Sequence, residues 1–171
     1  ILLQITAIYA VFVHESLEGG LSEGSAETML VVLIGGYLTA GGANAINMWY
    51  DRDIDPMMRR TDKRAIPMGK VSPESALFFG ISISSVGVAW FYFMSNEVAA
   101  FWSAFSILFY VLIYSMWLKR STPQNIVIGG IAGSTPPVIG WAASVEGLSI
   151  SNNSLEESIV SLFDLGSPIP W

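Results

Sequence analysis

Four stretches of this chain, Met29–Tyr50, Ala76–Met94, Val98–Leu118 and Ile126–Ser144, are each apolar for about 20 residues, the length a helix needs to cross the hydrocarbon of a bilayer. Backbone placed there has no water to bond, so each stretch must satisfy its own N–H and C=O groups, as a helix does. A mean hydropathy of +0.53 fits the same class. So does a composition that is 52% apolar and 13% charged. The opening run, residues 1–13, is too short to cross and reads as the end of a span that starts earlier. Trp171 reads as the start of another. The expectation is all-α: a polytopic transmembrane helix bundle forming a single membrane domain over residues 1–171, truncated at both ends.

Charge gives the bundle two sides. All eight Lys and Arg fall in two connections, 51–73 (Arg52, Arg59, Arg60, Lys63, Arg64, Lys70) and 119–123 (Lys119, Arg120). If every span crosses, those connections share a side, with eight cations against five acids. The opposite side has nine acids and no Lys or Arg. The excess of Lys and Arg marks the cytoplasmic side, so loops 51–73 and 119–123 are expected there, in a prokaryotic plasma membrane. With no Cys and His14 alone, thiolate and multi-histidine metal sites are excluded within the chain. His14 itself reads as an incidental surface residue in a polar loop over 14–28.

Other features bear on packing. The Gly35-Gly36 and Gly41-Gly42 pairs would let neighbouring helices approach closely. Ser72-Pro-Glu-Ser reads as a helix start. Pro136-Pro137 should kink or break the last span. The aromatic fourth span reads as packing, with Tyr110 and Tyr114 one turn apart.

The chemistry gathers at the end of the second span, in N-M-W-Y-D-R-D-I-D-P. Asn47, Asp51 and Asp55 are four apart, so on a helix they step round by about 40° each and form one ridge, with Asn44 on the same face. The helix is expected to run on to Asp55 and stop at Pro56. A pair of carboxylates four apart is mildly destabilising on a solvated helix, and a plain exposed helix end leaves the two asparagines unexplained. A hard cation such as Mg²⁺ takes one or two carboxylates and fills its shell with water and phosphate oxygens. Arg60 and Arg64, also four apart, could clamp a phosphate. The competing reading of the basic loop is topology, or attraction to anionic lipid.

These residues resemble a known family. N47-M-W-Y-D-R-D-I-D55 matches the N-x₃-D-x₃-D motif of the UbiA-type intramembrane prenyltransferases. M58-R-R-T-D-K-R-A-I-P-M-G-K-V-S-P73 and L118-K-R-S-T-P-Q-N-I-V-I-G-G-I-A-G-S-T-P-P-V-I-G-W141 resemble the branch that farnesylates heme. The blocks cover about a third of the chain. The resemblance implies a bundle of roughly nine spans, about five of them in this chain, around a lipid-open cavity. It implies transfer of a farnesyl group from farnesyl diphosphate to heme B, giving heme O on the way to heme A. Asn47, Asp51 and Asp55 would hold Mg²⁺ on the diphosphate, and Arg60, Arg64, Lys119 and Arg120 would neutralise it as it leaves. The implied partners are the two substrates, membrane lipid and a downstream heme A synthase, with no nucleic acid.

Two departures stand out. Ala65 replaces a common proline, and the family's second Asp-rich motif is absent, so the 171 residues alone are expected to be inactive. The alternatives are a quinone-precursor or chlorophyllide acceptor, whose branches usually carry an acid where this chain has Met48. An ion-coupled transporter, with Asp51 and Asp55 as its ion site, is the reading from another class.

Overall fold

The computed structural model describes residues 2–21, 23–118 and 125–145, and every regular element among these is helical. α1 runs Leu2–Leu17, α2 Glu23–Tyr50, α3 Pro73–Met94, α4 Glu97–Leu108 and α5 Asn125–Ser144. α4 winds on without a break into wider π-helical turns over Phe109–Leu118. Among the described residues, three helical stretches are long and apolar enough to cross a membrane: Gly24–Tyr50, Pro73–Met94 and Glu97–Leu118. Their outward side chains are apolar, with Phe78 and Phe93 each 75% exposed, as a lipid-facing surface requires.

α2 and α3 lie antiparallel in a regular register set by small residues. A Cβ on Gly35 would strike Phe91 and Trp90, one on Gly87 would strike Thr39, and one on Gly42 would strike Ser84 and the Gly80 carbonyl. Without a hydrophobic force between helices in lipid, such close backbone contact is what holds a pair together. Of the two expected glycine pairs, Gly35, Gly36 and Gly42 make close approaches, Gly36 against the Gln4 side chain; Gly41 faces open space.

Hydroxyl and amide groups tie the remaining helices. Ser72 caps α3, its hydroxyl accepting from the Ser75 N–H at 3.2 Å with Pro73 at the first position, as the sequence suggests. Asn96 caps α4, accepting from the Ala99 N–H at 2.8 Å, while its amide donates to the Ala142 carbonyl of α5 at 2.7 Å. One side chain therefore fixes a helix start and a helix–helix contact. Asn96→Ala should destabilise the protein by about 2 kcal/mol, the cap plus one interhelical bond, read as a lower melting temperature by tryptophan fluorescence in detergent.

Three sequence expectations need correction. α1 does not stop near Val13 but continues to Leu17, because Gln4, Ala7, Val11 and His14 form one buried stripe. His14 is therefore no surface residue: it is 9% exposed and packs edge-on against Trp141 at 4.8 Å. α5 is not broken at Pro136-Pro137. Beside the prolines, Ser134 donates to the Ile131 carbonyl at 2.8 Å, and Thr135 shares a 2.7 Å hydrogen bond with Ser106 that ties α5 to α4. The apolar core, centred on Val11, Val32, Phe91, Ala99 and Ala142, lies towards the His14 end. The acidic ridge sits at the other end of α2.

Candidate functional site: a buried carboxylate ridge

The α-helix proper ends at Tyr50, earlier than Asp55, yet its hydrogen-bond pattern persists through the ridge. The Asp51 N–H donates to the Asn47 carbonyl and the Asp55 N–H to the Asp51 carbonyl, both at 2.9 Å. Pro56 then opens a short 3₁₀ turn, Asp55–Met57, where its missing N–H costs nothing. The four-residue step is thus kept although the helix changes form.

Burial distinguishes this ridge from an ordinary helix end. Asn47 is 3% exposed, and Asp51 and Asp55 are both fully buried. A carboxylate taken wholly from water is unfavourable by several kcal/mol unless charge or hydrogen bonds compensate. Asn44, expected on the same face, is exposed, because it stands three residues before Asn47 and so falls to the side. Arg52 and Asp53 also point outward, Arg52 lying over the Trp49 ring at 4.9 Å.

The basic loop folds back on the ridge through one residue sequence reasoning missed. Thr61, 2% exposed, donates its hydroxyl to the Asp55 carbonyl at 2.9 Å. The Arg64 N–H in turn donates to the Thr61 carbonyl at 3.0 Å. This turn aims Arg64 inward. Its Nη1 reaches both Asp55 oxygens, at 2.9 and 3.1 Å. The loop closes with the Lys70 N–H on the Ala65 carbonyl at 2.9 Å, past Gly69 at a φ of +68° that favours glycine.

The five loop cations therefore separate. Arg64 belongs to the buried site, whereas Arg59, Arg60, Lys63 and Lys70 are exposed. Arg60 is exposed, while the turn at Thr61 brings Arg64 inward on to Asp55. Lys119 and Arg120 lie outside the described residues.

The π-helical turns that continue α4 approach the ridge from the other side. Tyr110 lies close enough to Asp51 and Arg64 to feel both charges, and it stacks on Tyr114 at 5.4 Å. Tyr50 donates its hydroxyl to the Met116 carbonyl at 3.1 Å, joining the ends of α2 and the π-helical turns. π-turns are rare and frequent at functional sites. An apolar cleft of about 550 Å³ lies between α2, the basic loop and α3, bounded by Met48, Ala65, Ile66 and Phe79.

Two buried carboxylates and an inward guanidinium thus stand together at one end of a helical membrane bundle. The chain belongs to the UbiA prenyltransferase family, whose profile matches residues 5–163. It is accordingly an integral membrane protein, and membership of a prenyltransferase family leaves the transporter reading without support. It is 57% identical over 113 residues to a protoheme IX farnesyltransferase of Gluconacetobacter diazotrophicus, covering 66% of this chain and 36% of that protein. With the protein of that name from Acidiphilium cryptum it shares 60% over 107 residues, 63% of this chain and 34% of the relative. With that of Bartonella tribocorum it shares 52% over 124 residues, 72% and 39%. The matched part thus spans little more than a third of each of these relatives. No solved structure matches the chain significantly.

Proposed function

We propose that the protein transfers a farnesyl group from farnesyl diphosphate to heme B, giving heme O. The observation that carries this reading is the buried ridge itself: Asn47, Asp51 and Asp55 with Arg64 folded on to it. The relatives, named for protoheme IX farnesylation, favour heme over a quinone precursor as acceptor. The excess of Lys and Arg on the ridge side supports a cytoplasmic site.

The donor set suits a hard cation. Every candidate ligand is oxygen, and the Asn47 Oδ1 is buried without a hydrogen-bond partner. Among the described residues no group of three His, Cys, Asp or Glu gathers, so this chain contributes two carboxylates and an amide oxygen, with phosphate and water left to complete a shell. Mg²⁺ held by Asn47, Asp51 and Asp55 would supply charge neutralisation for the departing diphosphate.

The chain's own residues do the rest. Arg64 stands beside the ridge with its side chain 28% exposed, partly withdrawn from water, where a fixed cation stabilises developing negative charge more strongly than it would in bulk. Arg60, with Lys119 and Arg120, would add positive field around the same anion. Tyr110, stacked on Tyr114, places aromatic surface near Asp51, suited to shielding an allylic cation formed as the C–O bond opens. The cleft beyond Met48 offers apolar wall to an isoprenoid chain.

Incubating the complete protein in nanodiscs with farnesyl diphosphate and heme B should give heme O by mass spectrometry. 4-Hydroxybenzoate in place of heme should return unreacted. Prenylated hydroxybenzoate with heme left untouched would overturn the acceptor.

A further inference from the structure

Asp55 is doubly engaged. In the proposed function it must present its carboxylate to a metal, yet in this structure both its oxygens lie within hydrogen-bond distance of the Arg64 Nη1, at 2.9 and 3.1 Å. The carboxylate is fully buried, whereas the Arg64 side chain is 28% exposed. The pair is therefore asymmetric: one partner is fixed in the wall, the other sits at the rim and has a route out. The fixed partner is anchored at its backbone as well, through the Thr61 hydroxyl on the Asp55 carbonyl.

We propose that Arg64 is an exchangeable gate on this site. It holds Asp55 while no diphosphate is bound, and it moves to the phosphate oxygens when diphosphate arrives, releasing the carboxylate for metal. This rests on the reading of the ridge as a metal–diphosphate site. The chemistry favours an exchange over a simple addition. A guanidinium left on Asp55 would put a second cation against any metal there, and like charges a few ångströms apart in a poorly solvated site repel strongly. A phosphate gives Arg64 a multiply charged partner with matching fork geometry. Leaving Asp55 with neither cation would strand a buried charge, so departure of the guanidinium and arrival of the metal are coupled. Since coupling is reciprocal, diphosphate strengthens metal binding by the factor that metal strengthens diphosphate binding. The site thereby avoids holding metal idle between turnovers.

The test is binding of Mn²⁺ to the complete protein in nanodiscs, followed by electron paramagnetic resonance, with and without inorganic pyrophosphate. Wild-type protein should bind Mn²⁺ weakly alone and more tightly with pyrophosphate. Arg64→Gln should bind Mn²⁺ alone about tenfold more tightly than wild type, within the usual range of coupling between sites, and gain less from pyrophosphate. Arg64→Lys keeps the charge and guards against misfolding of the glutamine variant; with a single-point contact in place of the fork, it should fall between. Metal affinity without pyrophosphate that is unchanged or lowered in the folded variants overturns the gate. If wild type binds no Mn²⁺ even with pyrophosphate, or if Asp51→Asn leaves that binding intact, the metal–diphosphate reading fails instead.

Discussion

Asp51→Asn should lower farnesyl transfer by roughly 10²–10³-fold, the loss typical when one preorganised electrostatic group is removed from a reaction centre. The substitution keeps shape and volume, and Asp51 is fully buried, so no cavity opens and no surface charge is lost. Its backbone bond to the Asn47 carbonyl is untouched. Asp51 has electrostatic contacts of its own, one of them with Tyr110, so a modest fall in melting temperature beside a nearly complete loss of turnover is expected. Asp55→Asn deprives Arg64 of its ion-pair partner, and both quantities should fall. The measurement is product formation against thermal unfolding for each variant; undiminished turnover by Asp51→Asn would remove the ridge from the mechanism.

The second large effect is expected far from any charge. Gly42→Ala should destabilise the protein by about 1–3 kcal/mol, and Gly42→Leu by more. A Cβ there meets the Ser84 hydroxyl, the Ser84 backbone nitrogen and the Gly80 carbonyl. A hydroxyl can rotate away, but the two backbone atoms cannot, so α2 and α3 must move apart. Gly41→Ala, one residue earlier, faces open space and should be neutral or slightly stabilising, since alanine is the better helix former. Comparing the two by thermal unfolding in detergent isolates the contact from glycine's general effect on a helix. Equal melting temperatures would show that the α2–α3 contact does not limit stability. Because Asn47 lies little more than one turn beyond Gly42, the destabilised variant should also lose activity.

The helices were legible because lipid permits so few ways to place a backbone, and length with hydropathy then marks each span. The ridge was legible because a four-residue step keeps side chains together whether or not the last turn remains strictly α-helical. The misplaced end of α1 has a simple cause. His14, Glu15 and Ser16 look like loop residues by polarity, yet His14 continues the spacing of Gln4, Ala7 and Val11, and the spacing prevailed. Pro136-Pro137 misled in the opposite direction: α5 runs on through the pair, tied to α4 beside it by the bond between Thr135 and Ser106.

The arginines show where sequence runs out. Arg60 and Arg64 carry the same charge and would share a face on any regular helix, so spacing alone joins them. What separates them is the turn closed by Thr61, which depends on a hydroxyl reaching the Asp55 carbonyl across six residues. The sequence by itself determined the apolar spans, the segregation of charge to the two ends and the Asn47–Asp51–Asp55 step, because each follows from local composition or from a fixed helical period. Only the tertiary structure decided that the two carboxylates are wholly withdrawn from water, that Arg64 and no other loop cation among the described residues pairs with Asp55, and that Tyr110 lies near them. Burial and ion pairing depend on which elements close over a side chain, and that is a property of the packed helices, which no single stretch of the chain contains.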